Sequence, residues 1–263
     1  YWPENRYIRA QAQHRSLCLH QFQSLTNPKP NLQAHQLLSY RKRTKYLVSE
    51  RWISLTFMSG ADRLLVDVPF VVFDLETSGS APSTGAAVTE IGAVKVLGGH
   101  VIGEFQTFVN PGHYLSDFIT ALTGITDSML ADAPTIDQVL LTFLDFLGPG
   151  HETVLVAHNA PFDMSFMKAA AIAHEYEWPE YKVVDTARVA RYVLDRDEVP
   201  NCKLSTLAPF FGSATSPTHR ALDDARATVD VLHGILERLG THDVTTLNQL
   251  LQFKRKRARR PLD

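Results

Sequence analysis

Apolar runs of strand length alternate with amphipathic segments between residues 70 and 240 of the 263-residue chain. Such runs, bounded by turn residues, predict β-strands. The predicted strands lie near 70–76, 87–97, 101–109, 153–158 and 181–184. Gly98 and Gly99, between the second and third strands, indicate a hairpin turn. An antiparallel start followed by strand–helix units is typical of an α/β domain with a mixed sheet.

Hydrophobic positions at helical spacing predict helices after the third strand. The predicted helices lie near 135–147, 161–171, 186–194, 203–212 and 221–239. Thr135 and Pro161 are residues that commonly begin a helix, and Gly148, Gly212 and Gly240 commonly follow one. These elements together predict a fold of α/β class, a mixed five-stranded sheet with helices on both faces.

Charge is distributed unevenly although the formal net charge is only −2. Residues 1–57 hold nine Lys/Arg and two acids, and residues 253–260 hold six basic residues. The stretch between them, 58–253, has 11 basic and 25 acidic residues, a formal charge of −14. An acidic body is an unusual composition for a protein that coats nucleic acid along its length.

The composition suggests three segments. We expect a poorly ordered basic leader at 1–57, a folded domain at 58–240 and a basic C-terminal tail at 241–263. The chain has no apolar run of the ~20 residues that span a bilayer, so no membrane association is expected. Cys18 and Cys202 form neither a disulfide framework nor a zinc spacing, which favours a reducing cytoplasm.

Two carboxylates end the first predicted strand, in the sequence VVFDLETSG (71–79). Side chains two residues apart on a strand point the same way, so Asp74 and Glu76 should project together. Carboxylates at close range resist ionising together unless a cation lies between them, and Mg²⁺ accepts such oxygen ligands. A strand end whose acids face water has the same pattern, so the motif alone leaves both interpretations open.

Two later clusters add acids and a histidine. In AHNAPFD (157–163), Asp163 lies in the first turn of a helix that follows a buried strand, where open α/β sheets place their sites. In THRALDDA (218–225), His219 precedes the last helix and Asp224 lies in its first turns. Each cluster alone also has a structural explanation, because acids near a helix start complement the helix dipole.

The order and spacing of these residues resemble the DEDDh exonuclease family, typified by the proofreading subunit of the bacterial replicative polymerase. The resemblance covers about residues 68–240 and rests on FDLETSG, LTGIT (122–126), AHNAPFD and HRALDDA. It implies a ribonuclease-H-like fold and removal of nucleotides from 3′ ends by two-metal hydrolysis. A Tyr in place of His219 would mark the sister subclass.

The resemblance implies a role for each site residue. The expected ligands of two divalent ions, Mg²⁺ or Mn²⁺, are Asp74, Glu76, Asp163 and Asp224, with Asp74 bridging both ions. His219 is expected to be the general base on the attacking water. The expected contacts to the terminal nucleotide are Leu75, Thr77 and Thr126. For Leu75 ordinary core packing is the alternative, because it points away from its acidic neighbours.

Three hypotheses for function remain open. The leading one is a bacterial cytoplasmic 3′→5′ exonuclease that acts on DNA in proofreading or repair. Its acidic body favours a short footprint on a single-stranded or frayed 3′ end, delivered by a partner such as a DNA polymerase subunit. The second is the same chemistry on RNA, and the third is a polymerase-associated scaffold with an idle site. The five intact site residues argue against the third hypothesis.

Overall fold

A computed structural model of the chain describes residues 63–254. The predicted leader, 1–57, and most of the basic run, from residue 255 onward, lie outside the described residues. The domain predicted to begin at Met58 is described from Arg63 onward.

Five strands form one sheet. They are β1 (Phe70–Thr77), β2 (Val88–Leu97), β3 (His100–Phe108), β4 (Val154–Ala157) and β5 (Lys182–Asp185), in the order β3-β2-β1-β4-β5. β1, β2 and β3 pair antiparallel, whereas β4 pairs parallel to β1 and β5 parallel to β4. Gly98 and Gly99 join β2 to β3 with φ of 60° and 79°, the sign that a tight hairpin turn requires. The predicted mixed five-stranded sheet is confirmed.

The helices of the described region surround this sheet. They are α1 (Asp117–Thr123), α2 (Asp127–Leu130), α3 (Ile136–Leu147), α4 (Pro161–Ala173), α5 (Thr186–Val193), α6 (Leu204–Phe210), α7 (Ala221–Gly240) and α8 (Leu247–Gln252). The helices α3 to α7 match the predicted ones. The helices α1, α2 and α8 were not predicted, because these short segments show no sustained hydrophobic stripe.

Apolar side chains of β1 alternate between two cores, one on each face of the sheet. Val71 and Phe73 pack with α3 and α4, whereas Phe70 and Val72 pack with helices α5 to α8. This alternation follows from the two-residue period of a strand. The prediction of helices on both faces is confirmed.

The folded domain extends beyond residue 240, so the predicted start of the tail at 241 is wrong. The helix α8 begins at a capping box formed by Thr246 and Gln249, and its Leu247 and Leu250 are buried in the core beside α7. Leu64 also forms an antiparallel bridge with Thr246. Two buried leucines in a six-residue helix leave too little pattern for a prediction from sequence.

Gly92 of β2 allows the first turn of α7 to lie directly on the sheet. A Cβ at this position would lie 2.2 Å from both the carbonyl carbon of Ala221 and the amide nitrogen of Leu222. Gly92→Ala is therefore expected to displace that turn and to lower the free energy of unfolding by ~3 kcal/mol, measured by urea denaturation. Gly103→Ala in β3 is the matched control, since its Cβ would meet only the Phe146 ring at 3.5 Å. Equal, small effects of both substitutions would contradict this account.

Candidate active site

The end of β1 carries the first acid pair. Asp74 and Glu76 alternate along β1 with Leu75, which points into the core beside α3 and α4 and is 5% exposed. The acids therefore project from the face that α7 covers. The backbone amide of Leu75 donates a hydrogen bond to Oδ1 of Asp163 at 3.2 Å. This contact joins the end of β1 to the start of α4.

A sharp turn between β4 and α4 positions Asp163. Asn159 has a φ of 69°, a left-handed conformation that asparagine tolerates better than most residues. The backbone amide of Asn159 donates a hydrogen bond to Oδ1 of Asp185 at 3.1 Å, which fixes the turn against β5. Pro161 then begins α4, and Asp163 in its first turn is only 2% exposed. The AHNAPFD segment thus carries a buried carboxylate to the end of β1.

The loop before α7 carries His219 and leads to Asp224. Asp224 is buried in the first turn of α7, and its Oδ1 accepts the amide of Thr218 at 2.8 Å. His219 is exposed and has a φ of 57°. Glu76, His219 and Asp224 each offer a ligand atom within 4.8 Å of the other two. Residues from two distant parts of the sequence are thus within reach of one cation.

One cavity of about 520 Å³ receives nearly all of the predicted site residues. The four acids and His219 line it, and so do Leu75 and Thr77. Thr126, the residue that precedes α2, does not line this cavity. Thr123, three residues earlier in the same segment, lines it instead.

Two walls of this cavity include residues that were not predicted from the sequence. Phe118, Ile119 and Leu122 of α1 form an apolar wall, and the Phe118 side chain is 71% exposed. His158 lines another side, with Nδ1 bonded to Thr186 Oγ1 at 2.9 Å and Nε2 to the Cys202 carbonyl at 3.0 Å. Both ring nitrogens are thus engaged, and His158 has a structural role here. The LTGIT segment was the only indication in the sequence that α1 belongs to the site.

The acids of the cavity raise one another's pKa. Burial raises the pKa of Asp74 well above its usual value, and the carboxylates of Asp163, Asp224 and Glu76 raise it further. Burial, followed by the charges of neighbouring carboxylates, raises the pKa of Glu76 to about 8. Burial also raises the pKa of Asp163 to about 8, against the opposing effect of backbone hydrogen bonds. Burial raises the pKa of Asp224, and the hydrogen bond that it accepts from the Thr218 amide opposes this increase.

This donor set fits hard divalent cations. Carboxylate oxygens are the ligands that Mg²⁺ and Mn²⁺ prefer, and clustered carboxylates can lose their protons together when a cation compensates their charge. The buried acids are therefore poised to exchange protons for metal ions. The geometry fits the metal-binding role predicted for these four residues.

The raised pKa values predict how the stability of the metal-free protein depends on pH. A folded-state pKa above the unfolded value means that protonation of the acid stabilises the fold. This stabilisation is complete below the unfolded pKa near ~4 and is lost as pH rises through about 8. In EDTA, Tm should therefore fall by several degrees between pH 6.5 and pH 9, since 1 kcal/mol is worth about 2–4 °C here. Scanning calorimetry measures this change. Asp163→Asn should flatten the dependence, and a Tm that rises over this range would contradict the prediction.

Comparison with known proteins gives consistent matches. A family model described as an exonuclease, RNase T, matches residues 71–232. A Mycobacterium tuberculosis protein, provisionally named a bifunctional exonuclease/endonuclease, is 52% identical over 195 residues, 72% of this chain and 30% of that protein. A PolC-type DNA polymerase III from Caldanaerobacter subterraneus is 39% identical over 209 residues, 78% of this chain and 14% of the polymerase. The chain spans less than a third of either relative.

Solved structures match in fold. The nuclease domain of 3′hExo, a DEDDh family member bound to rAMP, has a TM-score of 0.56 at 21% identity and covers 66% of this chain and 94% of that domain. Product-bound exonuclease I also has a TM-score of 0.56, at 18% identity, and covers 66% of this chain and 45% of that protein. At these identities the likeness concerns the fold, and it confirms the predicted ribonuclease-H-like sheet.

Proposed function

The chain belongs to the exonuclease family whose model spans residues 71–232, and we propose that it removes nucleotides from the 3′ ends of DNA. The convergence of four carboxylates and His219 on one cavity is the observation that carries this proposal. The comparisons support a nuclease of the DEDDh type. The direction of digestion, the DNA substrate and a role in proofreading or repair are the parts we propose.

The site residues have separate roles in phosphodiester hydrolysis. When bound, two divalent ions supply an activated water and stabilise charge at the leaving 3′ oxygen. Asp74, Glu76, Asp163 and Asp224 would hold them. His219, exposed at the cavity, takes the proton from the attacking water and can pass it to solvent. The apolar wall of α1 limits the access of other water molecules to the reacting phosphate.

The cavity fits a terminal nucleotide. Its volume of about 520 Å³ lies within the ~300–1,000 Å³ of small-ligand pockets. The exposed ring of Phe118 offers a surface on which a base can stack, and stacking of this kind tolerates any base. Leu75 and Thr77 are among the residues that line the cavity, where we expect them to contact the sugar or base. We expect a single-stranded or frayed end, whose last nucleotide is unpaired, to enter this cavity more readily than an intact duplex end.

The charge of the site favours a short contact with the substrate. None of the described residues that line the cavity is Lys or Arg, so few phosphates beyond the reacting one are neutralised there. We propose that a partner such as a DNA polymerase subunit delivers the 3′ end, in the cytoplasm of a bacterium. The similarity to part of a PolC-type polymerase supports this partner. Within residues 63–254, no helix combines the length and apolar character needed to span a membrane.

Digestion of 5′-labelled single strands of one sequence, as DNA and as RNA, tests the proposal. We expect a ladder that shortens from the 3′ end, forms faster on DNA, requires Mg²⁺ or Mn²⁺ and disappears in EDTA. A faster ladder on RNA would assign the protein to RNA trimming. Absence of a ladder on both strands, with and without a primed duplex, would leave the scaffold as the better hypothesis.

A further inference from the structure

Glu90 of β2 has a fully buried carboxylate that accepts four hydrogen bonds. Its Oε2 accepts from Nε of Arg220 at 3.0 Å and from the amide of Ala221 at 3.1 Å. Its Oε1 accepts from Nη2 of Arg220 at 3.0 Å and from Nε2 of Gln106 at 2.8 Å. The guanidinium also lies over the ring of Phe108, 5.2 Å from its centre. A buried charge is stable only when it is paired and hydrogen-bonded in this way.

This ion pair fixes the chain directly beside His219. Arg220 follows His219 and immediately precedes α7, so its two-pronged bond to Glu90 ties the loop to β2. On the other side of His219, the amide of Thr218 is held by Asp224 at 2.8 Å. His219 thus lies between two anchored residues.

The backbone of His219 needs this support. A φ of 57° places it in the left-handed region, which costs energy for any residue except glycine and persists only when its surroundings enforce it. The side chain is exposed, so burial does not hold the imidazole in place. If an anchor is lost, the loop can relax to negative φ and the imidazole leaves its position near Glu76 and Asp224.

Glu90 itself does not belong to the metal site. It lies opposite Glu76 across the β1–β2 pair, but neither Glu90 nor Arg220 lines the cavity. Both oxygens of Glu90 are already occupied by donors from three other residues. A direct contact of this carboxylate with substrate or metal would require those bonds to break.

We propose that Glu90 and Arg220 are positioning residues that hold His219 in its reactive orientation. The inference rests on the proposed function, because it requires a reaction in which His219 takes part. It predicts that disruption of the pair slows the chemical step without weakening substrate binding.

Arg220→Ala, compared with Arg226→Ala, is the test. Arg226 of α7 forms a similar but more exposed two-pronged pair with Glu104 of β3, at 2.9 and 2.8 Å, and it reaches the loop only through a long 3.4 Å bond to Asp223. The control therefore removes the same kind of bond to the same sheet, from a residue within α7 instead of the loop before it. Tm values of both variants, from calorimetry, separate loss of stability from loss of position.

For Arg220→Ala we expect kcat on single-stranded DNA to fall by ~10- to 100-fold, since a shift of about 1 Å in a catalytic group can cost ~10². KM should stay within ~3-fold, and Arg226→Ala should change kcat less than ~2-fold. Arg220→Lys, which keeps the charge and loses the two-pronged geometry, should restore part of kcat. In a His219→Ala background, Arg220→Ala should cost less than ~3-fold more, because its effect passes through His219.

A second readout does not depend on activity. Hydrogen–deuterium exchange of the metal-free protein should show faster exchange of the amides at 218–221 in Arg220→Ala and no change in Arg226→Ala. Unchanged exchange there, equal kcat losses in the two variants, or a full additional loss in the His219→Ala background would each overturn the inference. If the wild-type protein lacks nuclease activity, the proposed function is wrong, and exchange alone decides whether the pair holds the loop.

Discussion

Asp74→Ala is expected to lower kcat for DNA hydrolysis by at least ~10³-fold and to leave the fold intact. Asp74 lines the same cavity as Glu76, Asp163 and Asp224, and the charges of these three carboxylates add to burial in raising its pKa. Together with the other three acids, Asp74 would hold the divalent ions, which when bound would contribute several kcal/mol to stabilisation of the transition state. Each ~1.4 kcal/mol lost is a tenfold loss in rate.

Single-turnover digestion of a labelled strand measures this loss, with circular dichroism as the check on folding. The matched control is Asp223→Ala. Asp223 precedes the proposed ligand Asp224 in HRALDDA, but it does not line the cavity, and its carboxylate contacts Arg226 and the Thr218 hydroxyl, each at 3.4 Å. We expect this variant to keep at least ~30% of the rate. An Asp74→Ala enzyme that keeps more than a tenth of wild-type activity would contradict the proposed metal site.

His219→Ala is expected to slow the reaction by ~10²–10⁴-fold, the usual contribution of a general base, with metal affinity largely retained. The position of His219 makes this a sharp test, because its ring lies within 4.8 Å of ligand atoms of Glu76 and Asp224. That geometry allows the imidazole to be either a base beside the metal or a ligand to it. Its exposure favours the base, which must release its proton to solvent.

Titration with Mn²⁺, followed by electron paramagnetic resonance, separates these two roles. Retained affinity together with a slow reaction supports the base. Loss of affinity in His219→Ala would show a ligand and would contradict the assigned role. His151→Ala is the control, since His151 is exposed just before β4, at the end of that strand remote from the site.

The residues proposed to carry out the reaction can be predicted from the sequence, whereas the residues that hold them in position cannot. Asp74 and Glu76 are predictable because strand periodicity puts them on one side, and Asp163 because it follows a strand and a helix-starting proline. Thr126 was expected at the substrate and lies outside the cavity. Its place is taken by Thr123, because the chain there forms two short helices whose boundary no hydrophobic stripe reveals.

Interactions between distant parts of the chain were beyond prediction. Glu90 appears in the sequence as one polar residue within an apolar strand, and its partner Arg220 lies 130 positions later. Nothing local indicates that the two form a buried ion pair. The need for glycine at position 92 likewise becomes evident only in the structure, where the first turn of α7 packs directly against it.

Four carboxylates are proposed to hold two divalent ions. Anomalous diffraction from crystals grown with Mn²⁺ and thymidine 5′-monophosphate tests this claim most directly. We predict two manganese peaks ~3.5–4 Å apart, with the carboxylates of Asp74, Glu76, Asp163 and Asp224 around them and His219 bound to neither. A single peak held by Glu76, Asp224 and His219 would contradict the claim.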